Sequence, residues 1–155
     1  MSGIILKDFS GIEKILEEKI TPVSTQGFDD MLSVLATEDK YLYTLNIGQG
    51  GMVFFSATQM YDLSNYTGEV VQFIISNTAD TFYFEHHISG QLQTKYISSQ
   101  GEVYEDIGDT ITLSDTLQRE GVVWNYASDF LQIDFPQKMY EIQYTKNTAS
   151  QLKRK

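Results

Sequence analysis

From Val70 to Tyr104 the chain reads Val-Val-Gln-Phe-Ile-Ile-Ser, Asn-Thr-Ala-Asp, Thr-Phe-Tyr-Phe-Glu-His-His, Ile-Ser-Gly-Gln, Leu-Gln-Thr-Lys-Tyr-Ile, Ser-Ser-Gln-Gly, Glu-Val-Tyr. Four runs of β-branched and aromatic residues are separated by short spacers containing Asn, Ser and Gly. Spacers this short close antiparallel hairpins, since a parallel neighbour needs a crossover of a dozen residues or more. The stretch therefore predicts a four-stranded meander: Val70–Ser76, Thr81–His87, Leu92–Ile97 and Glu102–Tyr104.

Working outward, Met31–Ala36, Tyr41–Ile47, Met52–Ser56 and Met139–Tyr144 also read as strands. Upstream, Ser10 and Glu13 have the spacing of a capping box, and Ile12, Ile15, Leu16 and Ile20 follow at helical intervals. A helix over 10–20, stopped by Pro22, is predicted to pack on one face of the sheet. Residues 58–65 could form a linking helix. Ser114–Glu120 could form another, capped by Ser114 and stopped by Gly121. Trp124–Phe130 fits either helix or loop. The fold class expected is α+β, with an antiparallel sheet of five or more strands, a central meander and an N-terminal helix on one face.

The 155 residues suit one domain, and with neither repeats nor an internal linker the prediction is a single unit over 1–145. Lys146, Lys153, Arg154 and Lys155 make residues 146–155 a basic tail, expected to fray. A chain of this size can bury about 70% of its unfolded surface, so no metal, cofactor or disulfide is expected to be needed for folding. The absence of cysteine excludes thiol chemistry and Cys-based zinc sites. The opening Met1–Asp8 has a short apolar run and no basic flank, unlike a signal peptide, and no segment reaches the ~20 apolar residues of a bilayer span. A cytoplasmic location is expected, which leaves the acceptor pattern Asn65-Tyr66-Thr67 without consequence.

The net charge is −10, with 11 basic and 21 acidic side chains. Between Tyr41 and Gln137 only Lys95 and Arg119 are basic, against twelve acids. Such a body repels phosphate backbones, so direct nucleic-acid binding is not expected, and a cationic protein is the natural complement. Acidity that serves solubility alone is the competing explanation. Nothing in the sequence sets the oligomeric state.

His86-His87 is the sole histidine cluster, and adjacent strand residues point to opposite faces, so the pair cannot share one ion. Gly48-Gln49-Gly50-Gly51 leads into Met-Val-Phe-Phe rather than the Gly-Lys-Ser/Thr and helix of a phosphate loop, and reads as a hairpin turn. No Gly-x-Ser-x-Gly elbow is present, and among 21 acids spacing selects no catalytic pair, so a non-enzymatic protein is expected. The densest acidic stretch gives the candidate partner-binding residues: Glu102, Tyr104, Glu105, Asp106, Asp109 and, beyond them, Asp115. Val103 and Ile107 would anchor it to the core. An ordinary solvated sheet edge is the competing reading.

The aromatic strand, Gly turn, returning strand, second Gly turn and acidic Ile107-Gly108-Asp109 exit of Asp80–Asp109 resemble small bacterial immunity proteins of the polymorphic-toxin type, a texture extending over residues 69–124. That resemblance implies a cytosolic inhibitor occluding a basic toxin or nuclease partner. A small-ligand-binding or enzymatic domain would instead show a defined polar cavity, and a structural or assembly subunit would show exposed aromatics on one sheet face.

Overall fold

The computed structural model describes residues 1–56 and 60–151. Among these described residues nine strands form one antiparallel sheet: β1 (Ser2–Leu6), β2 (Glu18–Gln26), β3 (Tyr41–Ile47), β4 (Gly50–Phe55), β5 (Glu69–Ser76), β6 (Thr81–Ile88), β7 (Gln91–Ser99), β8 (Glu102–Ile107) and β9 (Tyr144–Gln151). Their spatial order is β2-β9-β3-β4-β1-β5-β6-β7-β8, so β1 is central and β2 and β8 are the edges. The expected meander is the β5–β8 half. Its turns take left-handed backbone at Asp80, Ser89-Gly90 and Gln100-Gly101, as tight hairpins between twisted strands require.

Helices cover the two faces unequally. Over one face lie α2 (Phe28–Thr37), α3 (Ile111–Ser114), α4 (Arg119–Leu131) and α5 (Phe135–Lys138), joining Phe28, Met31, Leu35, Trp124, Phe130 and Phe135 to Phe54, Phe73, Phe84 and Tyr144 of the sheet in one core. Over the other, among the described residues, lie only a 3-10 turn (Phe9–Gly11), α1 (Ile12–Leu16) and part of the stretch 60–68, which bury Ile4, Leu6, Leu42, Val53, Phe55 and Val70 beneath Ile12, Ile15, Leu16, Leu63 and Tyr66.

Several expectations are corrected. The helix predicted over 10–20 is only α1, and the Asp8 carboxylate rather than Ser10 caps the preceding turn, accepting from Ser10 N at 3.1 Å and Ser10 Oγ at 2.7 Å. Glu17 turns left-handed (φ 55°) and β2 begins at the next residue, so Ile20 and Pro22 are strand residues. Met31–Ala36 is helical: Phe28, Met31 and Leu35 form one buried stripe at helical spacing. Ser114 ends α3 instead of starting a helix, and Gly121 lies inside α4, which also contains Trp124–Phe130. The helix expected over 58–65 lies partly outside the described residues; 60–63 are irregular and Ser64-Asn65 form a turn.

The two largest departures are at the ends. Met1–Asp8 contains the central strand, with β1 pairing β4 through Ser2↔Phe55 and β5 through Ser2↔Ile74. The strand expected at Met139–Tyr144 begins at Tyr144, and residues 146–151 of the expected basic tail are in β9 between β2 and β3. They are held because Asn147 is buried and its Nδ2 donates to Leu42 O (3.1 Å), Thr44 Oγ1 (3.1 Å) and Thr145 O (2.9 Å).

Candidate protein-binding surface

On the face carrying α1, register places whole rows of side chains side by side. One row runs Ile4, Gln72, Glu85, Lys95, Ile107 across β1, β5, β6, β7 and β8; the next runs Ser2, Ile74, Tyr83, Ile97, Glu105. Burial falls along the first row from 0% exposure at Ile4 and Gln72, through 8% at Glu85, to 43% at Ile107. The cover ends near β5: none of the buried apolar residues packed with α1 comes from β6, β7 or β8. Tyr83, Ile97, Lys95 and Glu105 are thus half-exposed on a part of the sheet that no described helix covers.

A buried hydrogen-bond network underpins this surface. Glu85 is the shared acceptor: Gln72 Nε2 donates to its Oε2 at 2.7 Å, Tyr83 OH donates to the same oxygen at 2.8 Å, and His87 Nε2 is 2.7 Å from Oε1. Gln72 also bonds both backbone groups of Tyr61, accepting from its N at 3.0 Å and donating to its O at 2.9 Å. Burial first, and then the bond to Glu85, pushes the Tyr83 phenol well above its ordinary range. Tyr83 is therefore a neutral donor at physiological pH, and its ring is fixed in orientation, with Lys95 Nζ 5.9 Å from the ring centre.

The opposite face has a second histidine–carboxylate pair. His86 Nε2 lies 2.7 Å from Glu69 Oε2, while Tyr126 of α4 packs on the imidazole with ring centres 4.8 Å apart. Burial raises the Tyr126 phenol above its ordinary range. Among the described residues no three His, Asp or Glu side chains converge to hold a metal ion.

The six residues singled out from the sequence fall on or beside the β8 edge, though not on one face. Glu105 pairs with Ile97 on the uncovered face, and Tyr104 is the extra residue of a bulge against β7, its hydroxyl 3.3 Å from Glu102 Oε1. Asp106 pairs with Tyr96 on the helix-covered face and accepts a hydrogen bond from Thr110 Oγ1. Asp109 is exposed in the turn leading to α3, and Asp115 is occupied locally, its carboxylate accepting from Leu117 N at 3.0 Å. Val103 and Ile107 do not anchor this stretch in the core. Both are largely exposed, because β8 is terminal and the four-residue α3 buries only Leu113.

The two cations of the acidic segment are both turned to other uses. Lys95 lies over Tyr83; Arg119 stacks 4.9 Å from the Phe82 ring centre and donates to Ser98 Oγ at 3.3 Å. Among the described residues, Glu102, Glu105, Asp106, Asp109 and Asp115 form no ion pair. What sequence reasoning missed is the row of Tyr83, Ile97 and Lys95 beside them. The alternation of Tyr83, Glu85 and His87 with Phe82, Phe84 and His86 was its signal, but it does not say which face lacks a helix. No family model, curated protein or solved structure matches the chain.

Proposed function

We propose that the protein is a non-enzymatic binding domain that engages a cationic protein partner through the β8 edge and the adjoining uncovered face of β6–β8. One observation carries this reading: Glu102, Glu105, Asp106, Asp109 and Asp115, which form no ion pair among the described residues, lie on or beside the β8 edge, which exposes Tyr104 and Ile107 and adjoins half-exposed Tyr83 and Ile97. Protein interfaces combine such features, with aromatic and aliphatic side chains at the centre and a polar rim. Uncompensated like charge around them accelerates encounter with a basic surface.

The resemblance of residues 69–124 to immunity proteins supports a particular class of partner, a toxin domain that cleaves nucleic acid. The active site of such a domain is cationic because its substrate is a polyanion, and an acidic lid competes for the same field. The protein then acts in the cytoplasm as an inhibitor, contributing no catalytic group. No helix among the described residues is long and apolar enough to cross a membrane.

The test is affinity capture from the source cell at low and high salt, followed by association rates of the captured partner with native and substituted protein. A basic partner whose association slows with salt, and slows when Ile97 and Glu105 are replaced by Ser, supports the proposal. A partner indifferent to both salt and substitution refutes it.

A further inference from the structure

The two edges of the sheet are protected in different ways. At β2, Pro22 lacks a backbone N–H, a register shift follows between Pro22 and Ser24, and the strand is paired only with β9. At β8 there is no proline. Among the described residues no strand lies beyond its outward backbone groups, and Val103 (52% exposed), Tyr104 (61%) and Ile107 (43%) stand out from it. The devices that blunt β8 are the bulge at Tyr104 and like charge from Glu102, Glu105 and Asp106. Like charge repels a second copy of the same edge but attracts a strand of opposite sign.

We infer that β8 is a strand-addition edge, accepting an extended segment of the partner in which basic residues alternate with apolar ones. The inference rests on the binding function proposed above and specifies how that binding is made. Main-chain hydrogen bonds to β8 supply affinity, while basic side chains of the incoming segment meet Glu102 and Glu105 on the uncovered face and the alternate apolar ones meet Val103 on the other. A second copy of this chain is a poor occupant, since two β8 edges brought together would place six carboxylates along one ladder.

The probe is an eight-residue peptide alternating lysine and valine, N-methylated at every second residue so that it pairs along one edge and cannot stack on itself. Amide hydrogen exchange is measured on the whole chain with and without it. Exchange about tenfold slower at alternate amides of 102–107, unchanged exchange over β2, and no effect of a glutamate–valine peptide are the expected results. Absence of binding, binding without slower exchange at β8, or equal slowing at β2 overturns the edge mechanism. None of those results bears on the partner's dependence on Ile97 and Glu105, so a failure of the edge mechanism is distinguishable from failure of the binding function.

Discussion

His86 and His87 are consecutive in β6 and stand on opposite faces of the sheet, each with Nε2 2.7 Å from a different carboxylate, Glu69 for the first and Glu85 for the second. Their β5 partners fix the assignment: His86 is opposite Val71 of the helix-covered core, and His87 is opposite Val70 of the core beneath α1. The strand repeat thus separates the two imidazoles and ties each to its own side of the molecule.

Removing the shared acceptor on the open side should destabilise the fold. Glu85→Ala leaves Tyr83 and His87 without their acceptor and deprives buried Gln72 of one of its two, at a cost of about 2 kcal/mol. Glu85→Gln should cost clearly less, because the imidazole can exchange tautomers and accept from the new amide. Urea unfolding of the two variants checks the ordering; equal losses would mean that the network contributes nothing beyond packing.

The glycines that suggested a phosphate loop separate by cause. Gly48 has φ 63° with open space around it, so Gly48→Ala should cost about 1 kcal/mol and Gly48→Asn much less. Gly51 is in β4, where a Cβ would overlap the Phe9 ring and lie 2.6 Å from Leu45 O. Gly51→Ala should cost about 3 kcal/mol, and Asn should give no relief. Thermal melts of the four variants test the contrast.

Alkaline pH should unfold the protein. Burial raises the phenols of Tyr43, Tyr66, Tyr83, Tyr126 and Tyr144 above their ordinary value. In the unfolded chain these groups ionise near pH ~10, so above that the unfolded state binds fewer protons and stability falls. Below pH ~10 the contribution is fully present. Phenolate absorbance should therefore rise together with loss of the circular dichroism signal, and Tyr83→Phe and Tyr144→Phe should each move the transition to higher pH.

Replacing Glu105, Asp106 and Asp109 together with Ser should alter stability by less than ~0.5 kcal/mol at each of Glu105 and Asp109 and by about 1 kcal/mol at Asp106, whose carboxylate accepts from buried Thr110. The association rate with a cationic partner should fall, and its dependence on salt should flatten, as the screening length shrinks from ~10 Å at 0.1 M to ~3 Å at 1 M. Stopped-flow association at two salt concentrations measures both effects.

Deleting residues 144–155 should abolish the native fold, because it removes the only neighbour of β2 and exposes one side of β3. A truncated chain that still unfolds cooperatively at the native midpoint would contradict the placement of β9 between β2 and β3. Asn147→Ala is the milder counterpart, expected to cost about 2 kcal/mol through the carbonyl and hydroxyl groups it leaves without their donor.

The meander was legible because its hairpins are local, each turn residue identifying the strands on both sides of it. β1 was not: Ile4-Ile5-Leu6 is buried on both faces, and a strand buried on both faces shows no alternation to read. The Phe28, Met31, Leu35 stripe was present in the sequence but outweighed by the strand-like texture of Ser33-Val34-Leu35. At β9 the polar residues that suggested a loose tail are retained by partners about a hundred positions upstream, a pairing that local reading cannot detect. At the candidate surface the acids were visible as a cluster, whereas the uncovered face beside them depends on where α1 stops.

The position of β9 also orders events in time. During synthesis β3, β4, β1 and β5–β8 can assemble as soon as they leave the ribosome, but β2, made early, has no neighbour in the described sheet until β9 emerges. Its pairing of Glu18 with Gln151 closes a loop from residue 18 to residue 151, and contacts of such high sequence separation are slow to form. Until then β3 is a temporary free edge and β2 an unattached strand, a pairing hazard that ends only when β9 takes its place between them.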